Sequence, residues 1–191
     1  MRWVVFDYGE VISRPHGELA VLADLLGVAE ADFARAYWAG RHDYDRGLSD
    51  PEYWRGVGAA LGVEVGDALA ARLTEVDHAA WLHPDPGTVE LVEELAGADV
   101  PLALLSNAPA SFARVAEREP WARHFRHLVF SADLGVAKPD PRIFAALTER
   151  LGAAPGDCVF FDDRQDNVDG ANGAGLRGVL WRGSSHARAV L

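Results

Sequence analysis

The sequence predicts an α/β fold, a parallel sheet carrying an α-helical insert, and three observations predict it. Five short apolar runs, Trp3 to Phe6, Leu102 to Leu105, Leu128 to Phe130, Cys158 to Phe161 and Val179 to Trp181, are too brief for helices and read as buried strands. Between the later runs, apolar residues recur at helical spacing, as in Val89, Val92 and Leu95 or Phe144, Leu147 and Leu151. Strands alternating with helices build a parallel sheet. Between the first two runs, by contrast, residues 15–84 carry no strand pattern at all.

That long stretch reads as helices. Leu19, Leu22 and Leu26 form one apolar stripe, Trp54, Val57 and Leu61 a second, and Leu69, Leu73 and Val76 a third, with breaks near Gly27, Gly47 to Pro51 and Gly62 to Gly66. A crossover of this length far exceeds what a strand-helix-strand unit needs. It implies a helical insert, residues 15–84, over a core made of residues 1–14 and 85–191, with junctions near Ser13 to His16 and His83 to Gly87. Further on, Asp140 is placed to cap a helix whose first residue is Pro141, so Lys138 sits just ahead of a helix start. Gly170, Gly173 and Gly175 follow the fourth run in a spacing that suits helix termination and close packing.

Composition narrows the partners. A chain of 191 residues with 49% apolar and 25% charged residues buries a core as one domain, or one domain with a large insert. Its formal charge of −11 disfavours nucleic acid and anionic membrane surfaces, so the expected partner is a small molecule. An anionic substrate must then be held by local groups or by a cation. One cysteine, Cys158, excludes an internal disulfide and a thiolate metal cage and fits a reducing compartment. The apolar stretch before Asp7 is too short for a signal peptide, and no run reaches membrane-spanning length. The expectation is a cytoplasmic protein, monomer or homodimer.

In an open parallel sheet, ligands bind beyond the carboxyl ends of the strands. The residues at those ends carry chemistry: Asp7 after the first run, Ser106 and Asn107 after the second, Asp162 and Asp163 after the fourth, with Lys138 in the loop after the third. Carboxylates gathered at one edge repel, and like charges 4 Å apart cost about 4 kcal/mol at an effective dielectric near 20. A hard divalent cation relieves this, and oxygen-only ligands favour Mg²⁺ over zinc. Because neighbouring strand side chains point to opposite faces, one of Asp162 and Asp163 is expected to touch the ion and the other to stand behind it. Ser106 and Asn107, with the helix start after Pro109, offer donors for phosphate oxygens, and Lys138 adds a mobile positive charge. Together these are the parts of a phosphoryl-transfer site.

Four strings now stand in order: Phe6-Asp7-Tyr8-Gly9-Glu10-Val11, Leu104-Leu105-Ser106-Asn107, Ala137-Lys138-Pro139-Asp140, and Phe160-Phe161-Asp162-Asp163 followed by Asn167. Singly each is weak, but in sequence they resemble the four ordered motifs of the haloacid dehalogenase superfamily. The resemblance implies a Rossmann-like core with a helical cap inserted after the first motif. It implies Asp7 as a nucleophile forming an aspartyl-phosphate, Ser106 and Lys138 as holders of the phosphoryl group, and Mg²⁺ bound by Asp7, Asp163 and the backbone carbonyl of Gly9, with Asp162 behind.

One position departs from that pattern. Phosphatases of the superfamily usually carry a second Asp two residues after the nucleophile as general acid, and this chain has Gly9. Loss of such an acid typically forfeits about 10² to 10⁴ in rate. Glu10 is a substitute only if the chain turns it back. The variant therefore points to phosphates whose leaving groups need little protonation, and it resembles α-glucose-1-phosphate phosphatases, which favours a sugar 1-phosphate. The run Arg41-His42-Asp43-Tyr44-Asp45-Arg46 in the insert and the linker residues Arg14 and His16 are candidates to read the leaving group, and Trp38 and Trp54 are candidates to line the cap. Two other readings stay open: a metal-independent 2-haloacid dehalogenase-like hydrolase, which the Asp162-Asp163 pair counts against, and a catalytically silent phosphate-binding domain, which Gly9 supports.

Overall fold

A computed structural model describes residues 2–14 and 17–191. Strand β1 (Trp3–Phe6) is followed by four helices, α1 (Glu18–Leu26), α2 (Glu30–Tyr44), α3 (Asp50–Leu61) and α4 (Asp67–Trp81). The chain continues through α5 (Pro86–Gly97), β2 (Leu102–Ser106), α6 (Ala110–Ala116), β3 (His127–Phe130) and α7 (Ser131–Leu134). It ends with α8 (Pro141–Leu151), β4 (Cys158–Asp162), α9 (Gln165–Gly173), β5 (Arg177–Leu180) and α10 (Ser184–Val190). The strands form one sheet in the order β3-β2-β1-β4-β5, every neighbouring pair parallel.

The two-residue period of the strands sorts their side chains onto two faces. Val4, Phe6, Leu102, Leu104, Val159 and Phe161 pack on one side, against α5, α6 and α10. Trp3, Val5, Ala103, Leu105, Cys158 and Phe160 pack on the other, against α8 and α9. Buried on both faces, such strands read as continuous apolar runs, which is why the sequence displays them so plainly.

Helices α1–α4 enclose a separate core that includes Leu22, Phe33, Tyr37, Tyr53, Trp54 and Leu73. Helix α2 is the correction here, since the sequence shows only three apolar stripes in this stretch. Its buried residues are Phe33, Tyr37 and Tyr44, interspersed with charged ones, so its inner face is aromatic and polar rather than aliphatic. Helix α3 opens with a capping box between Ser49 and Glu52 and with Pro51 in its first turn. Trp54 is fully buried among these helices, donating its indole N–H to Thr74 at 2.8 Å, and does not line the cavity described below.

The two connections between insert and sheet run side by side. Ser13 bridges Pro84 in antiparallel fashion, Arg14 N–H donates to His83 at 3.0 Å, and Asp85 N–H donates to Ile12 at 2.7 Å. Asp85 then caps α5, accepting from Thr88 N–H at 2.9 Å. The chain thus leaves and rejoins the sheet at one place, next to the carboxyl end of β1.

Candidate active site

The strand order reverses at β1: β2 and β3 lie on one side and β4 and β5 on the other. A crevice opens where crossovers diverge in this way. Phe6 pairs with both Leu104 and Phe161, and Asp7 N–H extends the ladder to Phe161 at 2.9 Å. Asp7 and Asp162 therefore emerge side by side at the sheet edge, and Ser106 ends β2 on the other flank. All three are buried, with exposures of 7%, 0% and 2%.

Lys138 joins them. Its ammonium lies 2.7 Å from Asp7 Oδ1 and 2.7 Å from Asp162 Oδ2, and it donates to the Leu105 carbonyl at 3.0 Å. Three acceptors for three protons pin it, so the lysine is a fixed charge and not the mobile one expected from its loop position. Asn107 explains how the loop is held: its Oδ1 accepts from Lys138 N–H at 2.8 Å and its Nδ2 donates to the Lys138 carbonyl at 3.0 Å. With its amide oxygen and one of its two amide protons on this backbone, Asn107 positions Lys138.

Asp162 accepts from Lys138, from Arg164 N–H at 2.9 Å and from Asn167 Nδ2 at 3.0 Å. Its neighbour Asp163, part-exposed, lines the cavity. Oxygens of Asp7, Asp162 and Asp163 all lie within 4.8 Å of one another. Three carboxylates against one ammonium leave two uncompensated negative charges. Burial pushes the Asp7 carboxyl up to about 8 although Lys138 pulls it down, and Asp163 is raised by burial and by Asp162. Hard oxygen donors with a deficit of two charges fit a divalent cation such as Mg²⁺.

Above this edge lies a cavity of about 260 Å³ between sheet and insert. Gly9 and Glu10 line it below; Glu10 takes a left-handed backbone at φ 55°, which brings the exposed side chain to the rim. From the insert come Trp38, Arg41, Asp45, Asp77 and Trp81. Arg41 lies 3.0 Å from Asp45 and 3.4 Å from Asp77, and its Nη1 donates to Tyr37 Oη at 2.8 Å. Tyr37 in turn donates to Asp77 at 2.6 Å. The Trp81 carbonyl accepts from Tyr8 Oη at 2.6 Å and from the Ser13 hydroxyl, tying α4 to the loop after β1.

Of the residues singled out in the sequence, Asp7, Gly9, Ser106, Asn107, Lys138 and Asp163 line this cavity, and Asp162 stands directly behind. Arg14 and Arg46 are not part of the lining. Arg14 is exposed and paired with Asp85 at 3.0 Å at the junction, and Arg46 reaches the Gly135 carbonyl at 3.3 Å on the outside. His16 lies outside the described residues. Asp77 is not legible in the sequence because it sits on the apolar-striped α4, and only its partner Arg41, 36 residues earlier on helix α2 of the same insert, gives it meaning. Asn167 was legible as support for the acidic loop, and its contact with Asp162 is of that kind.

Comparison with known proteins agrees with this geometry. A profile of the haloacid dehalogenase-like hydrolases matches residues 1–175, so the chain belongs to that family. It is 31% identical over 131 residues to the phosphatase MT3486 of Mycobacterium tuberculosis, covering 68% of this chain and 60% of that one. It is 30% identical over 134 residues to phosphoglycolate phosphatase 1 of Pseudomonas aeruginosa, covering 68% of this chain and 49% of the relative. The chain thus spans about half to three-fifths of the length of these relatives. A HAD family enzyme of Bacteroides thetaiotaomicron, solved in complex with magnesium and inorganic phosphate, superposes with a TM-score of 0.74 over 95% of this chain and 94% of its own, at 18% identity.

Proposed function

We propose that the chain is a Mg²⁺-dependent phosphomonoester hydrolase acting on a small phosphorylated metabolite, with a sugar 1-phosphate favoured, through an aspartyl-phosphate on Asp7. The observation that carries this reading is the gathering of Asp7, Asp162 and Asp163 oxygens within 4.8 Å around a buried lysine. Phosphatase relatives support the reaction class. Asp7, Asp163 and the Gly9 carbonyl would hold the cation, with Asp162 behind. When bound, Mg²⁺ neutralises the carboxylates and the phosphoryl oxygens.

Lys138 keeps a positive charge at Asp7 Oδ1 and orients it, and Tyr8 N–H donates to that same oxygen at 2.7 Å. A carboxylate oxygen of Asp7 attacks phosphorus, the bond to the leaving oxygen breaks, and that oxygen departs with a proton from solvent or needs none. Ser106 steadies the phosphoryl oxygens by hydrogen bonding and Lys138 by its positive charge through this step. Water then attacks the aspartyl-phosphate, returning the carboxylate and releasing inorganic phosphate. With Gly9 in place of an acid, leaving groups that tolerate departure as weakly protonated oxygens are the suitable ones. In this reading residues 15–84 act as a cap over a core of residues 1–14 and 85–191.

A panel of phosphorylated metabolites, assayed with Mg²⁺ and with EDTA beside Asp7→Asn, tests the proposal. Turnover that needs Mg²⁺ and disappears in the variant is expected, with glucose 1-phosphate ahead of glucose 6-phosphate. Ligand-induced thermal stabilisation without turnover of any phosphate would instead establish a silent binding domain.

A further inference from the structure

The wall that the insert presents to the cavity has a definite charge and shape. Arg41 is its only cation among the described residues, and two carboxylates, Asp45 and Asp77, face it. With both ionised, the wall carries one net negative charge; with Asp45 protonated it would be neutral. In neither state does it offer an uncompensated positive charge. Of the other two lining cations, Lys138 is committed to Asp7 and Asp162, and Arg164, 64% exposed and paired with Asp166 at 2.7 Å, belongs to the core and not to this wall. A second anionic group held against the insert would find no free cation among the described residues of this wall and would face Asp45 and Asp77 instead.

Two further features say what does fit. Arg41 and Asp45 pair at 3.0 Å and keep 11% and 14% of their side-chain surface exposed while lining this cavity. A hydroxyl both donates and accepts, so it suits a guanidinium beside a carboxylate, whereas an ammonium suits only the carboxylate and a carboxylate only the guanidinium. Beside them stand the indoles of Trp38, 53% exposed, and Trp81. Flat aromatic faces next to hydrogen-bonding charges suit a ring with apolar C–H faces and a hydroxyl edge.

We infer that Arg41, Asp45 and Asp77, with Trp38 and Trp81, form a specificity wall that admits phosphomonoesters with an uncharged, hydroxyl-rich leaving group and rejects those whose leaving group carries a carboxylate or a second phosphate. This rests on the phosphatase reading and adds to it the side chains that select the leaving group and the anionic groups they reject.

The test uses the whole chain with Mg²⁺ and three kinds of substrate: an aryl phosphate, hexose monophosphates, and phosphoglycolate with a hexose bisphosphate. The aryl phosphate reports on the phosphatase reading alone, and absence of turnover on every substrate would sink that reading and this one with it. Given aryl turnover, hexose monophosphates should exceed the anionic pair by about 100-fold in kcat/KM, the scale of a misplaced like charge. Asp45→Asn and Asp77→Asn, which each remove one negative charge with little change of shape, should narrow that ratio at least about tenfold, chiefly through KM of the anionic substrates. In the unaltered protein, free hexoses should inhibit aryl phosphate hydrolysis more strongly than glycolate, a measurement that stands even where a variant fails to fold. Equal or better use of the anionic substrates, stronger inhibition by glycolate, or a preference for a cationic ester such as phosphocholine would overturn the inference.

Discussion

The Trp81 indole stands where a side chain on Gly9 would grow: a Cβ built at Gly9 would lie 3.2 Å from Trp81 Cζ3. The missing acid in the loop after β1 and the aromatic at the end of α4 are therefore two halves of one arrangement. Restoring an acid by Gly9→Asp alone should lower turnover, because the new side chain must push against an indole whose N–H contacts Tyr37 Oη at 3.4 Å and whose backbone carbonyl holds Tyr8. Gly9→Asp combined with Trp81→Leu should recover turnover on alkyl phosphates relative to Gly9→Asp alone, by about tenfold or more if the carboxyl then acts as an acid. Steady-state kinetics on an alkyl and an aryl phosphate decides it. An alkyl gain matched by an equal aryl gain would show relief of crowding and no acid.

Lys138 is the counter-charge of a buried cluster. Lys138→Ala leaves Asp7 and Asp162 facing each other with no ammonium between them. Removing one partner of a buried ion pair costs about 3–5 kcal/mol. Urea denaturation in EDTA should show a loss of that order, and adding Asp162→Asn should return part of it. A loss below about 1 kcal/mol would mean that the cluster relaxes by taking up protons or water.

The cation should register as stability. A ligand at 100 times its dissociation constant stabilises the folded chain by about 2.7 kcal/mol. Mg²⁺ should therefore raise the melting temperature of the protein, and Asp163→Asn should abolish most of that rise. Undiminished stabilisation of the variant would place the ion elsewhere.

Helix α9 touches the lysine loop from behind. A Cβ on Gly170 would lie 2.7 Å from the Pro139 carbonyl and 3.2 Å from Phe144. Gly170→Ala should destabilise the fold by about 1–3 kcal/mol through overpacking. It should also lower turnover, since Pro139 follows Lys138 directly. Thermal melts and kinetics on the same preparation would separate the two effects, and unchanged turnover would show that the lysine absorbs the shift.

His78 links insert and core through Ser111. The single Ser111 proton goes to Asp50 Oδ1 at 2.6 Å, so His78 Nε2, 3.1 Å from Ser111 Oγ, is the donor in that contact. Burial holds its pKa below the ordinary 6.5, against the pull of Asp77 and Asp50. Acid therefore protonates the unfolded chain first. The stability this histidine supports is complete above pH 6.5 and is lost as pH falls below it through the folded-state value. Between pH 7.5 and 5 the parent should lose more melting temperature than His78→Gln; parallel curves would count against this.

Much of this was legible because buried parallel strands leave unbroken apolar runs, and each run ends where its chemistry begins. Asp7, Ser106 and Asp162 follow from that rule alone. Helix α2 was not legible, since its inner face is built from Phe33, Tyr37 and Tyr44 held by polar contacts. That Asn107 holds the Lys138 backbone and that three acceptors pin the lysine was not legible either, because a motif shows which residues meet and not which hydrogen bonds they have already made. Arg41 was visible as one member of a charged run. Its pairing with Asp77 depends on how two helices pack, which no local spacing encodes.

The antiparallel bridge between Ser13 and Pro84 makes the four-helix arm a graft with a single stump. The residues proposed to meet phosphorus are rooted in the trunk, and the wall proposed to meet the rest of the guest belongs to the scion. Another bundle spliced between these two points would be expected to keep the reaction and change its clientele, so that natural relatives could diversify by exchanging this arm while the trunk stayed as it is.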